Sequence, residues 1–413
     1  MMVLLYNLSI RFYHGLVLLF STFNSKAKLF IKGRKNIFKH IALKLNDEPR
    51  DRVWFHFASL GEFEQGRPVL EKLKASNPEL AIVMTFFSPS GYEVRKNYNQ
   101  ADYIFYLPLD TKANASKFID LVQPQKVFFT KYEYWFHYFT ELKSRKIPLY
   151  MISAIFRPSQ PFFKWYGSFN REMLSCVTMF FVQNKLSGEL LNSIGINNWI
   201  VSGDTRFDRV YENSLQPKQI PLIEEFIENK KILIAGSSWP DDEALLIPLA
   251  QTFSTDWKMI IAPHEVDKAH VENIMKLSGD RAIRFSELEK SSAKTKYQFL
   301  IIDNIGMLSS LYQYGTVAYI GGGFNKSGIH NTLEAAAFGL PVIFGPNYKK
   351  FAEAVELIAN RGGFSIKDFN ELKDSFTHLS SNPINLQQSS SASKNYVKTN
   401  INATTIIFNT LGI

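Results

Sequence analysis

Short apolar runs recur along almost the whole chain, each followed by a turn and a longer helical stretch, and this alternation leaves few folds open. A first series comprises RVWFHFA (52–58), LAIVMTFF (80–87), DYIFYL (102–107), KVFFT (126–130), PLYMIS (148–153), TMFFVQ (178–183) and NWIVS (198–202). A second comprises KILIAG (231–236), WKMIIA (257–262), QFLII (298–302), TVAYIG (316–321) and PVIF (341–344). Runs this apolar suit strands buried from both sides, so the pattern predicts parallel sheets with helices on each face. Residues 213–229, polar and proline-containing, read as a hinge between the two series. The expected division is an N-terminal helix and basic segment (1–45), two Rossmann-like α/β domains facing a cleft (46–212 and 230–394), and a C-terminal helix (395–413) packing back across them. The serines at 389–393 are expected in a loop.

The N-terminal residues 3–21 (VLLYNLSIRFYHGLVLLFS) are about long enough to cross a bilayer. On a helix Asn7, Arg11 and His14 fall in one polar stripe, and an arginine near the middle of a span is costly. A helix of this kind can lie in the membrane interface or dock its polar side on protein. Nine basic and three acidic residues follow between Lys26 and Arg52, much of the chain's net charge of +9. A basic run directly after an apolar helix points to an anionic membrane surface rather than to nucleic acid, and to retention on the cytoplasmic side. The alternative is an ordinary amphipathic helix packed on its domain.

Three loops at the expected carboxyl ends of strands carry residue types suited to chemistry, and ligands bind at that edge of an open parallel sheet. After the strand at 52–58, Ser59-Leu60-Gly61-Glu62 turns into a helix. Gly61 permits close backbone approach, and Glu62 is a candidate general base for a hydroxyl. The same Ser-x-x-Glu spacing is a capping box, which needs no catalysis to explain it. After the strand at 231–236, Ser237 and Ser238 begin a helix rich in acids at Asp241, Asp242 and Glu243, an arrangement that binds phosphate or simply caps. After the strand at 316–321, Gly321, Gly322 and Gly323 lead through Asn331 to Glu334. Those glycines allow a ligand against the backbone, and Glu334 is placed to accept from sugar hydroxyls. Gly345-Pro346 reads as a second wall of the same site. A further stretch, 155–171, interleaves aromatics with Arg157, Lys164 and Arg171, as either a lipid- or phosphate-facing surface or a core with solvated basic tips.

Other chemistries lack their signatures. The one cysteine, Cys176, excludes an internal disulfide and cysteine-clustered metal sites. No H-E-x-x-H, D-x-D or G-x-S-x-G spacing occurs, and the glycines do not match the dinucleotide fingerprint. No cofactor and no metal are expected.

HFASLGE (56–62), YLPLD (106–110), YEYW (132–135), GDTRFD (203–208), AGSSWPDDE (235–243) and GGGFNKSGIHNTLEAAAFGLPVIFGP (321–346) occur here in an order that resembles bacterial Kdo (3-deoxy-octulosonic acid) transferases. The resemblance runs from the N-terminal helix to about residue 360. It implies a GT-B fold, CMP-Kdo as donor, a lipid A precursor as acceptor, inversion without metal, and a place at the cytoplasmic face of the inner membrane among its anionic lipids. Glu62 matches the family's catalytic base, with Ser59 and Gly61 in its loop. Gly203, Arg206 and Asp208 match a cleft element in which lysine is usual at the position of Arg206. Ser237, Ser238, Gly322, Gly323, Asn331 and Glu334 match donor-side positions. Asp204 stands where asparagine is usual, Lys131 and His137 where an acid and an asparagine are common, and Ile155 where arginine is common. The arginine expected near Pro263-His264-Glu265 is absent. Two rival readings remain at this stage: another membrane-associated GT-B transferase using a UDP-sugar, and a catalytically silent nucleotide- or lipid-binding protein on the same fold.

Overall fold

All seven runs of the first series form strands: β1 (Arg52–Phe57), β2 (Ala81–Phe86), β3 (Tyr103–Tyr106), β4 (Pro124–Thr130), β5 (Leu149–Ala154), β6 (Met179–Val182) and β7 (Trp199–Val201). They pair in parallel in the order β3-β2-β1-β4-β5-β6-β7. The period-2 alternation along β1 sends Trp54 to one face and Val53, Phe55 and Phe57 to the other, where they join separate apolar clusters. Helices seal both faces. Ile37, Ile41 and Leu45, one turn apart on a helix, cover the Trp54 side. Phe63, Val69, Leu70 and Leu73 of the helix after β1 cover the other.

The computed structural model describes residues 1–413 and separates into two compact units, Met1–Asp208 with Asn402–Ile413, and Arg209–Ile401. The second unit repeats the plan with β8 (Lys231–Ser238), β9 (Trp257–Pro263), β10 (Ala282–Arg284), β11 (Phe299–Ile301), β12 (Val317–Ile320), β13 (Val342–Phe344) and β14 (Gly363–Ser365). Their order is β10-β11-β9-β8-β12-β13-β14, again parallel throughout. The sequence reading omitted β10 and β14. Each is a three-residue strand at a sheet edge, too short to show a period.

Three local expectations change. The serines at 389–393 lie in a helix, Pro383–Thr399, not a loop. Ser389 and Ser393 are buried there, and their small side chains let the helix close on the Gly362 turn, where the Ser393 hydroxyl donates to the Gly362 carbonyl at 3.2 Å. The expected C-terminal helix is two helices, Pro383–Thr399 and Ala403–Leu411, broken at Asn402, whose φ is 88°. The last one belongs to the first unit: Ile407 and Phe408 pack under β1, and Asp208 accepts from the backbone N–H of Asn402 and of Thr404, both at 2.6 Å. The stretch read as a hinge contains a helix, Pro221–Ile227, with Ile223 and Phe226 buried in the second unit.

At the N-terminus, α1 (Met2–Phe20), α2 (Ser25–Arg34) and α3 (Ile37–Leu45) lead into β1. No residue of α1 is buried, while Leu4, Leu5, Leu8, Phe12, Leu16 and Leu19 are exposed. The helix is long and apolar enough to cross a bilayer, yet a narrow face carrying Val3, Tyr6, Asn7 and Ile10 leans on the first unit. The Tyr6 hydroxyl donates to Asp110 at 2.5 Å, and Asn7 pairs with His137 Nε2 at 2.6 Å. Arg11 of the expected polar stripe is exposed, and His14 lines a groove of about 790 Å³ with Lys28, Lys32, Lys35 and Lys39. Arg34, Arg50 and Arg52 of the basic run are spent inside the fold. Arg34 donates to the carbonyls of Phe87 (2.7 Å) and Leu107 (2.9 Å), and burial pushes its guanidinium down to about 9. Arg50 pairs with Glu48 and Asp102, and Arg52 donates to the Glu48 carbonyl at 2.6 Å. The charge left to a surface is that of the lysines.

Asp110 is 1% exposed and accepts from Tyr6, from the N–H of His137 and from the N–H of Tyr138, both at 3.0 Å. Asp110→Ala strands these donors, so it is expected to cost at least about 2 kcal/mol and to loosen α1. Urea unfolding combined with limited proteolysis checks this; an unchanged midpoint with α1 equally protected would contradict it.

Candidate active site

In an all-parallel sheet the point where strand order reverses opens a crevice at the carboxyl edge. In the first unit it lies between β1 and β4. β1 feeds the Ser59-Leu60-Gly61-Glu62 loop, and β4 feeds Lys131 to Trp135. Ser59 caps the following helix: its Oγ accepts from the Gly61 N–H at 3.3 Å and donates to Glu62 Oε2. The capping arrangement therefore forms, and it fixes the rotamer of Glu62 while leaving the carboxylate half-exposed. Gly61 has a negative φ and open space above it, with Ser59 Oγ at 3.8 Å as the sole neighbour of an added Cβ. Neither packing nor conformation requires glycine here.

A second layer holds this edge. His56, fully buried in β1, bridges Thr85 Oγ1 (2.8 Å) and Glu133 Oε2 (3.2 Å), and the Trp135 indole donates to the same Glu133 oxygen at 2.8 Å. Lys131 has a φ of 62°, an uncommon conformation for a non-glycine residue and one found at functional strand ends. Arg206 binds Asp204 through Nε (3.0 Å) and Nη2 (2.8 Å), and Gln65 donates to the same carboxylate at 3.1 Å. Burial pushes Asp204 up, but Arg206 and Lys131 outweigh it and hold the carboxyl below its ordinary range. Burial raises the Tyr132 hydroxyl, against the pull of Arg157 and Arg206, while Glu62 and Asp204 push it further. All four charges thus act on one phenol.

In the second unit the reversal lies between β8 and β12. β8 ends in Ser237, with φ 54°, and Ser238; β12 leads into Gly321-Gly322-Gly323. Asp242 clamps the two loops, accepting from the N–H of Gly322 (2.9 Å), the N–H of Trp239 (3.0 Å) and the hydroxyl of Tyr319 (2.7 Å). A Cβ on Gly321 would meet the Ser237 carbonyl at 2.2 Å, and one on Gly323 would meet the Gly345 Cα at 2.5 Å. The expected second wall at Gly345 is thus in contact with the glycine loop. Ser238 is fully buried and donates to Glu243 at 2.8 Å, so its hydroxyl is committed to the fold. Asn331 Nδ2 donates to Glu334 at 3.0 Å, and the Leu333 N–H returns to Asn331 Oδ1 at 3.0 Å, a capping arrangement at a helix start.

Residues 32–209 match the family model of 3-deoxy-D-manno-octulosonic-acid transferase (kdotransferase). The chain is 28% identical over 337 residues to the 3-deoxy-D-manno-octulosonic acid transferase of Aquifex aeolicus, covering 79% of this chain and 85% of that one. It is 26% identical over 325 residues to that of Haemophilus influenzae, covering 76% and 75%. Solved structures agree on the fold. The UDP-GlcNAc 2-epimerase of Neisseria meningitidis aligns with a TM-score of 0.60 at 18% identity, over 87% of this chain and 99% of that one. Acinetobacter baumannii MurG aligns at 0.55 and 13%, over 87% and 98%. The fold is of the GT-B type.

The structure brings Ser59, Gly61, Glu62 and Arg206 to the carboxyl edge of the first unit. It gathers Ser237, Ser238, Gly322 and Gly323 at the β8–β12 reversal of the second, with Asn331 and Glu334 at the helix the glycine loop leads into. Sequence reasoning passed over Trp239. Its indole N–H donates to His330 Nε2 at 3.1 Å, and its ring stacks on His264 at 4.8 Å, while His264 stacks on His330 at 4.2 Å. The only signal in the chain was its place before Pro240 at a helix start.

Burial, helped by the neighbouring His264, pushes the His330 imidazole down to about 4. The unfolded chain, with a histidine near ~6.5, takes up this proton first. Stability is therefore complete above about 6.5 and declines as pH falls toward 4. Thermal midpoints measured across this window should fall less in His330→Gln than in the parent, since the amide still accepts from Trp239 without titrating; parallel curves would refute the assignment.

Proposed function

We propose that the protein moves Kdo from CMP-Kdo to a lipid A precursor by a single inverting displacement that needs no metal. The observation that carries this reading is Glu62, held by Ser59 with its carboxylate half-exposed at the strand-order reversal of the segment that matches the Kdo transferase family model. Glu62 accepts the proton of the acceptor hydroxyl as that oxygen bonds to the anomeric carbon of Kdo. The bond from that carbon to the phosphate oxygen breaks, and CMP leaves with the electron pair. Ser237, the backbone around Ser238, Gly322 and Gly323, and Asn331 and Glu334 hold the donor nucleotide. Arg206, braced by Asp204, offsets charge developing on the leaving group. CMP carries one phosphate, so there is less charge to neutralise than on a sugar diphosphate.

The exposed apolar side of α1 and the lysines of α2 and α3 support association with the cytoplasmic face of the inner membrane, where an acylated acceptor resides. Purified protein supplied with a lipid A precursor and a CMP-Kdo generating system is expected to give a lipid heavier by one or more Kdo units, with or without chelator, by mass spectrometry. Glu62→Gln should lower turnover by about 10²–10⁴-fold with an unchanged circular dichroism spectrum. Product formed from a UDP-sugar instead would replace the donor, and binding of CMP without turnover would leave a silent binding protein.

A further inference from the structure

The aromatic and basic stretch 155–171 finds no role in the reaction, and the structure gives it a defined shape. After β5 the chain buries Phe156 and Phe162, then projects Trp165, 91% exposed, and Tyr166, 54% exposed. It turns back at Gly167 into the helix Ser168–Leu174. The projection is braced from below. The Arg171 guanidinium donates to the carbonyls of Phe162 (3.1 Å) and Lys164 (2.9 Å), and the Gly167 N–H donates to the Lys164 carbonyl at 3.0 Å. A Cβ on Gly167 would lie 2.0 Å from the Pro161 carbonyl oxygen, so the turn admits only glycine. The two exposed rings stand edge to face, 5.5 Å apart. A tryptophan held almost wholly in water on a rigid turn forgoes a large apolar gain unless something covers it.

What covers it follows from its neighbours. Phe169, just beyond the turn, stacks on Phe136 at 4.8 Å and meets Tyr6 of α1 at 5.6 Å. The loop therefore rises from the same aromatic patch that seats α1, whose outward side is mostly apolar. Lys164 adds a cation beside the rings. Tryptophan and tyrosine beside lysine, next to an apolar helix, match the headgroup level of a bilayer, where amphipathic rings lie between water and acyl chains. We infer that the Trp165–Tyr166 turn is a second membrane contact, inserting at the interfacial level beside α1. The first unit then has two points of attachment, which fix its rotation about α1 as well as its distance from the membrane. This rests on the lipid association of α1 proposed above.

The chain contains six tryptophans, none of them in α1, so the difference in emission between the parent and Trp165→Phe reports on the loop. Full-length protein is reconstituted into phosphatidylglycerol-containing vesicles with acyl chains brominated near the headgroup, and in parallel into unbrominated vesicles. The expected result is bromine-dependent quenching in the parent that is lost in Trp165→Phe. Both proteins should float with the vesicles, and both should show the same circular dichroism. Equal quenching in parent and variant, with flotation intact, overturns the loop contact alone. Failure of both folded proteins to float removes the α1 reading and this inference with it. A concentration-dependent blue shift of Trp165 without vesicles would make the occupant a second copy of the chain and would also overturn it.

Discussion

The constraint on which everything else depends is strand order. A wholly parallel sheet puts every strand's carboxyl end on one edge, and chains leaving that edge must climb one face or the other. Where the order reverses, adjacent connections part and expose backbone that no neighbour covers. Both units carry one reversal near the middle of seven strands, beside β1 in the first and beside β8 in the second. Glu62 follows β1, and Ser237 and Ser238 end β8. The glycine loop follows β12 for the same reason: Gly321 packs on the Ser237 backbone so closely that a side chain there would separate the two loops. Candidate chemistry and topology are thus one fact seen at two scales.

Much of this was readable in the chain because strands buried on both faces are almost purely apolar. The long central strands, β1, β4, β8 and β9, stand out for that reason, and the loops after them could be located by counting. What stayed hidden was settled by contacts with no local signature. β10 and β14 exist because an edge of the sheet is available to three residues. The serines near 390 look like a loop until Gly362 supplies a partner surface. Ser238 looks like a ligand until Glu243, five residues on, returns beneath it. The basic run looked uniform, yet its arginines reach inward to carbonyls and carboxylates while its lysines stay out, as expected of a forked guanidinium and a strongly hydrated ammonium.

Three charged residues at the carboxyl edge of the first unit are coupled to one another. Lys131 follows β4, while Asp204 and Arg206 lie together in a distant stretch after β7. In the fold Asp204 is buried, chelated by Arg206, and held ionised with help from Lys131. A buried carboxylate without these cations would be costly, and an arginine at 206 without Asp204 would lack the partner that fixes its fork. Asparagine in place of Asp204 would keep a hydrogen bond and lose the charge. The three residues therefore form one charge cluster, in which a buried aspartate is tolerable because two cations act on it.

The same reasoning explains why the N-terminal helices are integral to the first unit and not a detachable leash. Arg34 closes α2 onto the carboxyl ends of β2 and β3 through the carbonyls of Phe87 and Leu107, and Ser88 donates its N–H to the Ala58 carbonyl at 2.8 Å, one residue before Ser59. Tyr13 of α1 stacks on Phe87 at 6.1 Å, and Phe87 on Trp135 at 4.7 Å. Trp135 in turn holds Glu133, which holds His56 on β1. A continuous packed path therefore joins the exposed apolar helix to the strand that carries Glu62. The position of α1 and the geometry of the Glu62 loop are therefore linked through ring contacts and hydrogen bonds.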